Sequence, residues 1–129
     1  MNSRYKIALA LLAGAALGAA AIQGLQAQTK PTAYVVVAVR KINDADAFKA
    51  GVVDKATPAA LAAAGGRYVV RAKTVISLDG TAPQRFVLIA FDSVEKAQAW
   101  ENTAAQKEIT AARMKATNSL SFIVEGFTK

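Results

Sequence analysis

The 129-residue chain contains no cysteine and no histidine. The first absence excludes disulfides and thiolate chemistry, so stability has to come from packing. The second removes the commonest general base and the commonest haem and transition-metal ligand, which makes a haem-degrading or zinc-dependent role hard to build. Carboxylates remain, but Asp44 and Asp46 sit at a helix start, and Asp54, Asp79 and Asp92 are dispersed along the chain. No metal and no cofactor are expected. Neither a nucleophile-elbow nor a Ser-x-x-Lys nucleophile is expected. The pair Gly65-Gly66 opens a strand instead of a helix, the wrong polarity for a phosphate loop, and reads as a structural turn.

What is present begins with a tripartite start. "MNSRYK" supplies Arg4 and Lys6, "IALALLAGAALGAAAI" is an apolar run of small residues, and "QGLQAQ" is a polar exit. This is the form of an export signal over 1–27, followed by a short linker, 28–32. The apolar run is short for a membrane span, which needs about 20 residues. Cleavage after Ala27, cleavage within "GAAAIQ" and retention as an anchor are the alternatives; after cleavage no stable membrane insertion is expected. The implied location is the periplasm or the exterior.

The remaining 102 residues hold the linker and one domain, 33–129, large enough to bury roughly 60–70% of its unfolded surface. Without Arg4 and Lys6 the 16 basic residues fall to 14 against 9 acidic ones, a net charge of +5. The two signs are interspersed, with no basic helix face interleaved with aromatics, so nucleic acid is not an expected partner. An affinity for small organic anions is compatible with the excess.

Period and punctuation give the order of elements. "AYVVVAV", 33–39, is a β-branched run. Asn43 or Asp44 can cap a helix with Phe48, Val52 and Ala56 on one stripe, and Thr57-Pro58 restarts it until Gly65. Strand two is expected over 67–78, "RYVVRAKTVISL", joined by "DGTAPQ" to strand three, 85–91. Asp92 with Glu95, and Thr103 with Gln106, form capping boxes ahead of a helix broken near Asn102. Strand four, 120–127, sets Leu120, Phe122 and Val124 against Ser121, Ile123 and Glu125.

The order βαββαβ predicts an α+β, ferredoxin-like sandwich: a four-stranded antiparallel sheet, order four, one, three, two, with both helices on one face. The central strands are apolar on both faces. Val36, Ala38, Val87 and Ile89, or their alternates, would then lie on a face that no helix covers, and a second copy closing it predicts a homodimer, a dimeric α/β barrel.

"AYVVVAV", "GGRYVVRA", "RFVLIAFDSVEKAQAWEN" and "SFIVEGF" resemble the bacterial domain of unknown function 1330 family, of the dimeric α/β-barrel superfamily. The most specific pieces are Gly65-Gly66-Arg67 with Arg71, the series Phe91, Ser93, Glu95, Ala97 and Trp100, then Arg113 and Glu125-Gly126. Where members commonly carry a Ser-Pro-x-Tyr turn after the tryptophan, this chain reads Thr103-Ala104-Ala105-Gln106, so no role of that tyrosine transfers. The resemblance implies fold and dimer and leaves activity open.

Candidate ligand-binding residues are Arg67, Arg71, Lys73, Arg113 and Glu125; no catalytic residue is assigned. Alternation puts Tyr68, Val70, Ala72 and Ile76 toward the helices and sends Arg67, Arg71 and Lys73 toward a partner sheet. One reading is edge protection, with Glu125 of the other subunit neutralising an arginine. The other is an anion pocket in which Arg71 offers its planar fork to a carboxylate. Arg113 either makes a structural salt bridge near Glu108 or reaches a pocket, and Trp100 reads as a core anchor. Two function classes follow: a small-ligand-binding or structural dimer, and a cofactor-independent enzyme acting on a small reactive substrate in the barrel pocket. The missing histidine favours the first.

Overall fold

The structure, a computed structural model, describes residues 32–128. The expected export signal, and all but Thr32 of the expected linker, lie outside them. Strand β1, Ala33–Ile42, is followed by a short helix α1, Ala45–Phe48, a π-helical turn over Lys49–Val53, and helix α2, Pro58–Ala63. Strands β2, Arg67–Ala72, and β3, Arg85–Phe91, lead to α3, Val94–Glu101, α4, Ala104–Ala116, and β4, Thr117–Glu125. The sheet order is β2-β3-β1-β4 and every pairing is antiparallel. This is the ferredoxin-like arrangement. No helix of the described residues is long and apolar enough to cross a membrane.

Short polar side chains start each helix. Asp44 accepts from the Ala47 amide, Thr57 from Ala60, Ser93 from Lys96 and Thr103 from Gln106. Each satisfies one of the orphan donors of a first turn. Ser93, not Asp92, is therefore the cap of α3, and Asp92 instead holds the Lys96 ammonium at 3.3 Å. At the other end of α2, Gly65 has φ +85°, the left-handed conformation that stops a helix.

Directly paired residues share a face, so the registers sort the sheet into two sides. Val35, Ile89, Ile123 and Tyr68 form one row under the helices, where Ala33, Phe91, Leu61 and Ala97 complete the core. Trp100 packs there with its ring 5.3 Å from that of Phe91, a tilted aromatic pair. The other side has no helix. Its rows are Tyr34, Ala90, Val124; Val36, Leu88, Phe122, Val70; and Ala38, Phe86, Leu120, Ala72. Val36 and Ala38 lie where expected, but Leu88 and Phe86, and not Val87 and Ile89, accompany them.

Candidate functional site

Arg67 and Arg71 lie on opposite faces of β2. Arg67 stands opposite Ala90 on the open side, whereas Arg71 stands opposite Val87 on the helix side. The cause is a register shift between Tyr68, opposite Ile89, and Val70, opposite Leu88: one extra residue, Val69, bulges out and inverts the alternation beyond it. The Arg71 guanidinium consequently lies over the Tyr68 ring, 4.7 Å from its centroid. Tyr68 donates its hydroxyl proton to the Ala56 carbonyl at 2.9 Å. Burial pushes the Tyr68 pKa up from 10.0, and the Arg71 charge pulls it partly back.

This corrects the expected orientation of the cationic strand. Arg71 does not project toward a partner sheet. Nor does Glu125, which is exposed at the end of β4 opposite Ala33, on the helix side. The pairing of these two across an open-face dimer loses its geometry. Lys73 lies beyond β2, in a shallow groove of about 480 Å³ shared with Ile42, Gln84 and Arg85. Because Ala72 already pairs with Phe86 and β3 begins at Arg85, later residues have almost no strand left to pair with. Ile76 and Leu78, expected in strand two, are 85% and 95% exposed. The five candidate residues do not share one pocket.

Arg113 is the one built into the interior. Only 8% exposed, it is carried by α4 and directs Nη1 to Ser119 Oγ and Nη2 to Ser121 Oγ, the latter at 3.3 Å. The Thr117 hydroxyl donates to the Arg113 carbonyl at 2.6 Å and lies 3.1 Å from Ser119 Oγ. A hydroxyl has one proton. Thr117 spends its own on the carbonyl, so Ser119 accepts from Arg113 and donates to Thr117. Ser121 also accepts from Arg113, and among the described residues its proton has no acceptor. Sequence spacing does not reveal Ser119 as a partner, since the expected strand four begins only at Leu120, whereas β4 starts at Thr117.

Ser121 lines a cavity of about 300 Å³ with Val35, Phe122, Ile123 and Glu101, the last residue of α3. Burial raises the Glu101 pKa and the Arg113 charge opposes the rise; the same burial lowers that of Arg113. The two ion pairs among the described residues, Lys49–Asp54 and Lys96–Asp92, are exposed and elsewhere. The expected Arg113 salt bridge near Glu108 is therefore not made, and the carboxyl that acts on Arg113 is Glu101. Among the described residues one buried side-chain oxygen has no partner: Thr110 Oγ1, one turn before Arg113 on α4. The spacing Ser93-x-x-Lys96 looks nucleophilic, but its serine is a helix cap and its lysine is paired with Asp92. Glu101 escaped the sequence reading because a carboxylate at the end of a helix carries no motif.

No curated protein matches the chain. Among solved structures it is similar to RPA0582, a protein of unknown function from Rhodopseudomonas palustris, at 15% identity and a TM-score of 0.60, over 78% of this chain and 85% of that one. The methylated form of RPA0582 gives 13% identity and 0.54, over 81% and 89%. A dimeric protein of unknown function and ferredoxin-like fold from Bacteroides fragilis gives 10% and 0.46, over 73% and 95%. The model of the domain of unknown function DUF1330 matches residues 32–127. With that span covering most of the molecule, and with the fold it encloses, the chain belongs to the DUF1330 family.

Proposed function

We propose that this is an exported homodimeric protein that binds a small organic ligand. The observation that carries the ligand reading is the cavity between the end of α3 and β4. Val35 and Ile123 supply apolar wall, Glu101 and Ser121 supply convergent polar groups, and Arg113 stands behind Ser121 as a buried cation with spare donors. A mostly apolar pocket with a few oriented polar groups is the usual form of a small-molecule site.

The dimer reading rests on the open side of the sheet. Leu120, Phe122 and Val124 are each more than 40% exposed in the isolated chain, and the half-buried Tyr34, Phe86 and Leu88 share their face. A continuous apolar patch of this kind is uncommon on a monomer, and an identical sheet is a self-complementary cover. Apposing two such faces would make the dimeric α/β barrel. Export rests on the basic start, apolar run and polar exit of residues 1–27, with the periplasm or exterior as the location.

Thermal-shift screening of the purified protein against small carboxylic acids, phenols and ketones tests the ligand reading. A binder at about 100 times its dissociation constant adds roughly 2.7 kcal/mol. The shift should vanish when Ile123→Trp fills the cavity. A shift that survives this change, or no shift with any probe, overturns the reading.

A further inference from the structure

We propose, resting on the ligand reading above, that the Glu101–Ser121 cavity is a proton-transfer site for a small neutral carbonyl compound. Glu101 takes a proton from the carbon beside the carbonyl while Ser121, held by Arg113, hydrogen-bonds the carbonyl oxygen.

Arg113 presents five N–H donors and accepts nothing, so its bond to Ser121 fills a lone pair of the serine oxygen. The Ser121 proton has no acceptor among the described residues, and the residue lines the cavity. Ser121 is exposed, so its hydroxyl can exchange a bond to solvent for one to a ligand at the wall of the cavity, with the buried Arg113 guanidinium behind it. Its orientation is fixed by the strand below and by the Ser119–Thr117 arm, which anchors the other half of the guanidinium. Glu101 lines the same cavity, and neither ion pair of the described residues involves it. Its carboxylate oxygens are free to accept. Burial makes it a stronger base than an ordinary carboxylate.

The same geometry selects the ligand's charge. Arg113 does not line the cavity, whereas Glu101 does, so an entering anion meets a carboxylate first and the cation only through Ser121. A neutral carbonyl compound meets a base and a donor. In the step, the C–H bond breaks, its proton passes to a Glu101 oxygen, and the electron pair becomes a C=C bond with negative charge on the carbonyl oxygen. The Ser121 hydrogen bond stabilises that oxygen. Returning the proton to the same carbon exchanges it, and returning it further along a conjugated chain isomerises the compound. No oxidant, metal or cofactor enters the balance.

Cyclohexanone in D2O is the probe, with loss of its α-proton signals followed by NMR and binding followed by saturation transfer from the protein. The purified protein should exchange the α-protons on the order of a hundredfold faster than buffer of equal carboxylate content. Glu101→Gln should abolish the excess while saturation transfer persists, and Ser121→Ala, a smaller perturbation of the fold, should reduce it at least about tenfold. Binding without exchange in the unaltered protein overturns proton transfer and leaves ligand binding standing. Absence of both overturns the two together. Equal exchange in the unaltered protein and in Glu101→Gln overturns the role of Glu101.

Discussion

Arg71 lies over the ring of Tyr68, three residues before it in the same strand, because the bulge at Val69 turns both to the helix side. The interaction is a cation–π contact at a partly exposed site, where about 0.5–1 kcal/mol is usual. Arg71→Gln should cost that much in denaturant unfolding. It should also raise the Tyr68 pKa further, because desolvation would act without the opposing Arg71 charge. The sign on stability follows. A tyrosine that holds its proton more tightly when folded contributes stability below about pH 10 that is lost as pH rises through the folded value. A tyrosine titration read by NMR at Tyr68 checks the shift; a lowered pKa in Arg71→Gln would sink the stacking account.

Two adjacent glycines should respond differently to the same pair of substitutions. At Gly65 the difficulty is φ +85° with open space around the site, so Ala is strained and Asn, which tolerates that region, recovers part of the loss. At Gly66 a Cβ would meet Phe91 Cζ at 2.7 Å and Leu61 Cδ1 at 2.8 Å. Overpacking of a core typically costs about 1–3 kcal/mol, and Asn should be worse than Ala there. Chemical denaturation of the four variants decides it.

Neighbouring residues of β3 separate the two sides of the sheet. Val87 packs toward the helix-side core and Leu88 belongs to the open side. Val87→Ala should lower stability by about 1–2 kcal/mol without altering molecular mass. Leu88→Asp should yield a folded monomer, since a buried unpaired carboxylate is incompatible with an apposed sheet. Light scattering with circular dichroism reads both; an unaltered protein that is monomeric at micromolar concentration removes the dimer.

Glu101 should leave a signature in acid. Its pKa is raised from 4.5 by burial, more than Arg113 lowers it, so the folded state binds this proton more tightly than the unfolded one. The contribution is fully present below 4.5 and is lost as pH rises through the folded value. Relative to Glu101→Gln, the unaltered protein should therefore gain stability as pH falls from neutral to below 4.5. Parallel melting curves across that window would remove the perturbation.

Much of the architecture was legible because it rests on local chemistry. The β-branched run of β1, the caps Asp44, Thr57 and Thr103, the stop at Gly65 and the break at Asn102 are signals that neighbours in the chain supply by themselves. The orientation of Arg71 was not legible, since a bulge changes parity without changing any residue type, and only the pairing with β3 reveals it. The end of β2 was missed for a related reason: "KTVISL" has strand chemistry, but β3 is too short to pair with it. At the candidate site, Arg113 stands out by its family position, while Ser119 and Ser121 of β4 and Glu101 of α3 join it only through the packing of α3 and α4 on β4.

The register of β1 has a consequence for the order of assembly. Its Ala33 pairs on one side with Phe91 and on the other with Glu125, so the first of the described strands is gripped by the last. Until residues 117–125 are available, β1 has an unpaired edge and the rows of both faces end one strand short. Contacts of such long separation are slow to form and reward the chain only near completion. A ribosome-tethered or truncated chain ending before Thr117 should therefore be more protease-sensitive than the full chain, because the edge of β1 stays unpaired and Ile123 is missing from the margin of the core.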